Sequence, residues 1–208
     1  EHGVVAFRDQ SPLTADAQVE FARRIGPLHT HPAAPAEHEN AAVFVIRTHR
    51  DSPISNGNGW HTDVSCDEEP PSATMLQLQL LPNCGGGDTL FADMEAAYAT
   101  LPANTRERLC GLSAIHASAH VYPGRYADRS AGEEAIATPS AVHPVVRTHP
   151  ETGRRSLFVN PSFTVAIDGM DSAEGGELLT EIHEHCTRPE FQIRHRWQPY
   201  DVLLWDNR

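Results

Sequence analysis

Three observations predict a mainly β domain with flanking helices. Residues 73–81 alternate strictly, with Leu76, Leu78 and Leu80 on one side and Gln77 and Gln79 on the other, the pattern of a half-buried strand. Two β-rich stretches, 142–148 and 156–160, flank Pro150-Glu151-Thr152-Gly153 and read as a hairpin. Helical periodicity, by contrast, is confined to a few capped segments. Many strands with few helices suit a jelly-roll, cupin-like double-stranded β-helix, which encloses a ligand cavity between its sheets.

Element by element, residues 4–8 form a short apolar strand candidate. Thr14 then caps a helix with Ala15, Val19, Ala22 and Ile25 on its apolar face and a Gly26-Pro27 stop. Residues 28–40 are a loop carrying His29, His31 and His38, residues 42–48 a β-branched strand, and residues 51–59 a second loop. Beyond the strand at 73–81, Gly85-Gly86-Gly87-Asp88 is a turn and 89–92 a strand, and Asp93 caps a helix ending near Leu101-Pro102. Residues 112–117 are a strand and 120–140 a polar connection. Asp171 and Glu174 have the spacing of a capping box before a helix carrying Leu178, Leu179 and Ile182. Phe191, Ile193, His195 and Trp197 alternate with Gln192, Arg194 and Arg196, and 202–205 form a last strand.

Composition narrows the functional classes. A chain of 208 residues, 39% hydrophobic and 21% charged, is a globular domain of ordinary size. A formal charge of −12 argues against nucleic-acid binding, which needs a basic footprint. It weighs less against anionic substrates, because a few cations in a cleft override net charge. Cys66, Cys84, Cys110 and Cys186 are scattered without C-x-x-C spacing, so free thiols in a reducing cytoplasm are expected. No apolar run suggests a membrane span, and a homo-oligomer is compatible with these features.

Gly59-Trp60-His61-Thr62-Asp63-Val64 is the segment with the clearest chemistry. On an extended stretch, residues two apart point to the same side, so His61 and Asp63 can offer one imidazole nitrogen and one carboxylate oxygen to a metal. The facial triad of non-heme Fe(II) oxygenases adds a second His and leaves coordination positions open. In a chain with 13 His such a pair also arises by chance, and context decides. His183-Glu184-His185-Cys186 is metal-like in composition only, since helical neighbours recur at i+3 and i+4; an exposed helix end is expected there.

The context is a set of ordered motifs: Trp60-His61-Thr62-Asp63-Val64, Gly86-Gly87-Asp88-Thr89-Leu90, His143-Pro144-Val145-Val146-Arg147-Thr148-His149-Pro150, Trp197-Gln198-Pro199 and Trp205-Asp206-Asn207-Arg208. In this order, and over essentially the whole chain, they resemble the taurine dioxygenase (TauD/TfdA) family of Fe(II)- and 2-oxoglutarate-dependent dioxygenases. The resemblance implies Fe(II) on His61 and Asp63, with 2-oxoglutarate as co-substrate. It implies O2-driven hydroxylation of a small organic anion, such as an alkyl sulfonate or a sulfate ester, with release of succinate and CO2. By the same resemblance, Thr89 contacts the 2-oxoglutarate carboxylate, His31 the substrate anion, and Tyr122 packs against the substrate. Gly86 and Gly87 are expected to serve the backbone turn, and His29, His143 and His149 structural or solvated roles.

Two positions depart from the family pattern. Ala34 stands where an aromatic hydroxyl is expected and Gly57 where a substrate-contacting Asn is expected, with Asn56 and Asn58 beside it. Both departures weaken the case for the ammonium end of taurine. The resemblance also places a second metal His and a 2-oxoglutarate-binding Arg beyond Arg208. Residues 1–208 are therefore expected to be a single catalytic oxygenase domain lacking its N-terminal start and its C-terminal segment. The alternatives are an inactive relative acting as a binding module and, on the His61–Asp63 pair alone, a zinc hydrolase, for which no further ligand set or general base is evident.

Overall fold

The structure is a computed structural model that describes residues 2–32, 34, 40–49, 51–52, 57–83, 85–122 and 138–208. His38, Asn56, Cys84 and most of the expected 120–140 connection lie outside the described residues. The strands are β1 (Val4–Phe7), β2 (Ala73–Gln77), β3 (Thr89–Ala92), β4 (Ser113–Ala117), β5 (Ser140–Pro144), β6 (Val146–Thr148), β7 (Arg155–Leu157), β8 (Thr164–Ile167), β9 (Gln192–His195) and β10 (Val202–Asp206). The helices are α1 (Ala15–Arg23), α2 (Met94–Thr100), α3 (Ala103–Leu109) and α4 (Ser172–Cys186).

The described strand pairs are all antiparallel and mostly join segments far apart in sequence: β1-β10-β2, β3-β9, β5-β4-β8 and the local hairpin β6-β7. The order is that of strands wound around an interior rather than a meander. Val202 and Leu203 of β10 are buried, as befits the central strand of its sheet, with Trp205 facing Val4 on one side and Thr74 on the other.

The expected helices form where their caps and apolar stripes place them. Thr14 accepts from Ala17 N, Asp93 from Glu95 N and Ala96 N, and Asp171 from Ala173 N and Glu174 N, each satisfying amides with no intrahelical partner. The Glu174 carboxylate is engaged by Arg108 at 3.2 Å, rather than forming the return bond of a capping box. Leu178, Leu179 and Ile182 bury against the sheet carrying β4 and β8, within a core that includes Ala114, Val145, Leu157 and Ile167. Gly175 permits this approach: a Cβ there would sit 3.6 Å from Ile167.

Several expectations are corrected. Residues 42–48 form no strand; no described strand pairs with them, Val45 and Ile46 are exposed, and Phe44 stacks on His31 instead. β2 ends at Gln77, and the alternation beyond it does not predict burial. Leu80 is 88% exposed while Gln77 is buried, because the Gln77 amide accepts from Leu13 N and donates to Ser11 O and Tyr200 O. Satisfying three otherwise orphaned backbone groups outweighs burying one more leucine.

The 142–148 stretch is divided at Val145. Its first part, β5, pairs with β4, and only β6 makes the hairpin with β7. α3 and β8 are additional elements, too short to have shown periodicity. The end of α4 is less exposed than expected: burial lowers the His183 pKa, and His185 Nε2 lies 2.8 Å from Ala97 O.

Candidate metal and substrate site

The segment bearing His61 and Asp63 is an irregular loop entering a turn rather than a fully extended stretch. Gly59 begins it at φ +89°, a conformation that costs a glycine nothing. Its carbonyl accepts from His61 Nδ1 at 2.9 Å. A carbonyl can only accept, so Nδ1 carries a proton, and Nε2 faces the Asp63 carboxylate. Ser162 Oγ donates to Trp60 O at 2.9 Å and ties this loop to the far side of the fold.

Beyond Asp63 the chain turns sharply, with Ser65 N donating to Thr62 O and Asp67 N to Val64 O. Val64 is buried at φ +51°, a genuine outlier for a β-branched side chain. Strain of this kind persists only where surroundings enforce it, and here it lies next to the carboxylate.

His61 Nε2 and Asp63 Oδ1 end 3.4 Å apart. Two cis ligands at bond lengths of about 2.0–2.2 Å would be separated by roughly 3 Å, so the pair fits one ion. The other carboxylate oxygen, Oδ2, accepts from the indole nitrogen of Trp205 at 3.1 Å. Thr74 also hydrogen-bonds to Asp63 and in turn accepts from Asn207 Nδ2 at 2.8 Å. Trp205 and Thr74 are cross-strand partners, so their side chains leave the sheet side by side. Burial alone would raise the Asp63 pKa, but the His61, Thr74 and Trp205 contacts outweigh it and hold the carboxyl below its ordinary value. The ionised form is the one a metal needs.

A buried polar layer supports this turn. The Ser65 hydroxyl lies 3.0 Å from His116 Nδ1 and accepts from Asn160 Nδ2 at 3.0 Å. Asp67 is held twice, by His29 at its carboxylate (2.8 Å) and by His143 Nε2 at its carbonyl (2.9 Å). Arg147 bonds His143 Nδ1 and lies over the Phe158 ring. Burial, then the neighbouring His143 and Arg147 charges, push the fully buried His116 down to about 3, so the layer is built around a neutral imidazole. The structural roles expected of His29 and His143 are therefore what the structure shows. His149 likewise packs, bonding Asp206 at 3.1 Å.

Thr89 opens β3, where three successive glycines, Gly85 to Gly87, take positive φ and make the expected turn. Its Oγ1 accepts from the Trp197 indole at 2.9 Å. Phe91, on the same face of β3, meets Trp205 at 5.5 Å between ring centroids, so the Thr89 strand and the Asp63 carboxylate share a neighbour. Arg208 closes the end of β10, bonding Asp206 and Glu151 through its guanidinium and Ser156 through its carbonyl.

His31 and Tyr122 come together. His31 stacks on Phe44 at 4.6 Å and 7°, and lies 5.4 Å from Tyr122. Tyr122 is 1% exposed and packs with Val64, Cys66 and Phe163, so the same cluster reaches the residue next to Asp63. Ala34 N bonds His31 O, and Gly57 is exposed at φ +76°. Neither side chain brings a polar group here.

Trp205, Thr74 and Trp197 are the site residues that sequence reasoning passed over, although both tryptophans lie within quoted motifs. Among the described residues no third His, Cys, Asp or Glu joins His61 and Asp63 into a three-donor group. An imidazole and a hard carboxylate side by side, in a β framework, are a donor pair whose chemistry suits a divalent ion such as Fe(II).

The chain belongs to the family described as Taurine catabolism dioxygenase TauD, TfdA family, which matches residues 1–208. It is 34% identical to an alpha-ketoglutarate-dependent dioxygenase of Penicillium expansum, over 100% of this chain and 59% of that protein. To the alpha-ketoglutarate-dependent sulfonate dioxygenase of Saccharomyces cerevisiae it is 32% identical, over 100% of this chain and 52% of the yeast protein. The chain thus spans little more than half the length of these relatives. The crystal structure of a taurine dioxygenase from Burkholderia xenovorans superposes with a TM-score of 0.78 at 35% identity, covering 99% of this chain and 66% of that one. The jelly-roll, cupin-like fold class expected from the sequence is the fold of these relatives.

Proposed function

We propose that residues 1–208 are a single oxygenase domain of an Fe(II)- and 2-oxoglutarate-dependent dioxygenase. It hydroxylates a small organic anion, an alkyl sulfonate or sulfate ester. The observation that carries this reading is the 3.4 Å approach of His61 Nε2 to Asp63 Oδ1, with the remaining polar atom of each side chain already bonded elsewhere. When bound, Fe(II) supplies O2 activation. The reaction balances as substrate C–H plus O2 plus 2-oxoglutarate giving substrate C–OH, succinate and CO2.

The chain's own residues divide the remaining work. His61 and Asp63 hold the metal through one nitrogen and one oxygen, and Thr89 donates its hydroxyl proton to a carboxylate of 2-oxoglutarate. His31 offers a hydrogen bond, or a charge when protonated, to the sulfonate or sulfate group. Tyr122 backs the His31 ring and forms an apolar wall toward Val64. With Ala34 and Gly57 lacking polar side chains, an alkyl chain without an amine suits the site better than taurine. The free thiols of Cys66, Cys110 and Cys186 suit a reducing cytoplasm, and no described helix is long and apolar enough to cross a membrane.

The test is succinate release from the intact protein with Fe(II) and 2-oxoglutarate, against a panel of alkyl sulfonates, sulfate esters and carboxylates. Substrate-dependent succinate from amine-free sulfonates or sulfates is expected. No succinate from any member, by a protein that still binds the ligands, would leave the binding-module reading in its place.

A further inference from the structure

Two tryptophans, Trp197 just after β9 and Trp205 in β10, each aim an indole N–H at an oxygen assigned above to the site. Trp197 donates to Thr89 Oγ1 at 2.9 Å and Trp205 to Asp63 Oδ2 at 3.1 Å. We propose that Trp197 and Trp205 are paired positioning residues, a two-indole clamp that orients the co-substrate hydroxyl and the metal carboxylate from two neighbouring stretches of the chain. The proposal rests on the functional reading given above.

The chemistry of the donor carries the argument. An indole N–H donates and cannot accept, so each bond has one direction only. At Asp63 it commits Oδ2 as an acceptor and turns Oδ1 toward His61 Nε2. At Thr89 it occupies a hydroxyl lone pair, so the hydroxyl's own proton points away from Trp197. Among the described residues Thr89 Oγ1 makes no other hydrogen bond, which leaves that proton for a ligand carboxylate. At Thr89 a hydroxyl partner such as Ser or Tyr would allow the bond to reverse, since both hydroxyls donate and accept; tryptophan does not.

The stretch between the two rings is itself pinned. Between them Tyr200 takes φ +67°, and the fully buried Asp201 binds Gln198 N at 2.8 Å, His195 Nε2 at 3.2 Å and Arg8. His195 packs edge-on against Trp197 at 4.8 Å and pairs in register with Thr89, while Trp205 pairs with Thr74. Each indole is therefore set by the strand ladder that also presents its target or its target's neighbour. Supporting bonds of this kind, one layer out from a metal, typically change metal affinity or activity by about 10–100-fold when removed.

The clamp is tested by binding rather than turnover. In the intact protein, Mn(II) affinity is measured by electron paramagnetic resonance, and 2-oxoglutarate affinity by calorimetry on the Mn(II)-loaded form. Trp205→Phe is expected to weaken Mn(II) by about 10–100-fold. Trp197→Phe is expected to leave Mn(II) unchanged and to weaken 2-oxoglutarate about tenfold, the worth of one charge-assisted bond. Because loss of the larger ring could disturb packing on Phe91, 3-benzothienylalanine at each position serves as a near-isosteric replacement that removes only the N–H; it should reproduce both effects. Mn(II) binding by either Trp205 variant at the unsubstituted affinity, or an unchanged 2-oxoglutarate affinity in both Trp197 variants, overturns the clamp while leaving the site reading standing. An unsubstituted protein that binds no Mn(II) overturns both.

Discussion

The proposed metal side and the proposed substrate side of this site are held in different ways. Asp63 is fixed by directional bonds from Trp205 and Thr74, themselves locked in a strand ladder, and His61 by its bond to Gly59 O. His31, Phe44, Tyr122 and Phe163 meet as a cluster of rings. Hydrogen bonds have steep angular and distance dependence, whereas ring packing tolerates a range of offsets. On the proposed reading, a ligand pair that must match one ion benefits from the first, and a substrate pocket from the second. The metal pair lies on a loop braced by the sheet, and the ring cluster on loops packed on one another.

The contrast is broken most sharply at the metal pair. His61→Ala or Asp63→Ala is expected to abolish Fe(II)-dependent succinate formation while circular dichroism and melting temperature stay near those of the parent. Ordinary turnover in either variant would remove the pair from the site.

On the substrate side the effect is smaller and graded. His31→Ala is expected to lower kcat/KM for sulfonates and sulfate esters alike, by about 10–100-fold, since a hydrogen bond to a charged group contributes about 1.5–3 kcal/mol. In the parent protein, amine-free alkyl sulfonates should outperform taurine. Taurine as the best substrate would mean that polar groups other than side chains at 34 and 57 receive its ammonium.

The layer beneath both sides adds a pH dependence. His116 has a folded pKa of about 3 against an ordinary 6.5, so between those values the unfolded chain binds the additional proton. Its contribution is complete above about pH 6.5 and is lost as pH falls toward 3, with a slope of at most about 1.4 kcal/mol per pH unit. His143 and His183 are shifted in the same direction. Urea midpoints measured from pH 7 to 4 should fall in the parent, and His116→Asn should flatten that fall although it lowers stability at pH 7. A parallel pH profile in the variant would show that other groups govern acid lability.

The smallest effect is expected at Tyr122→Phe. The hydroxyl meets the Cys66 sulfur at 3.6 Å, a long and weak contact. Its loss should cost no more than about 0.5–1 kcal/mol of stability by thermal melts and leave the ring packing in place. A larger loss would mean that directional bonding matters on the substrate side as well.

Much of the fold was legible where local chemistry decides it. Thr14, Asp93 and Asp171 mark helix starts because a short side-chain oxygen can satisfy amides a few residues on, and that requires no knowledge of the rest of the chain. The apolar stripe of α4 and the Pro150–Gly153 turn are local in the same sense. Residues 42–48 show the limit: β-branched side chains permit a strand, but a strand exists only with a partner, and none of the described strands supplies one. The face of β2 shows it again, since Gln77 is buried by backbone groups from residues 11, 13 and 200.

The site divides along the same line. His61 and Asp63 were singled out from residue types and spacing together with the family resemblance, and Thr89, His31 and Tyr122 from that resemblance alone. That His61 and Asp63 approach one another from a strained turn rather than a fully extended stretch, that Trp205 and Trp197 each hold one site oxygen, and that His31 reaches Tyr122 at all depended on tertiary structure. The sequence by itself determined the donors, because imidazole, carboxylate and hydroxyl carry their chemistry wherever they lie. Only the fold decided the geometry of the carboxylate and the hydroxyl, because the bonds that orient Asp63 and Thr89 join residues more than a hundred positions apart.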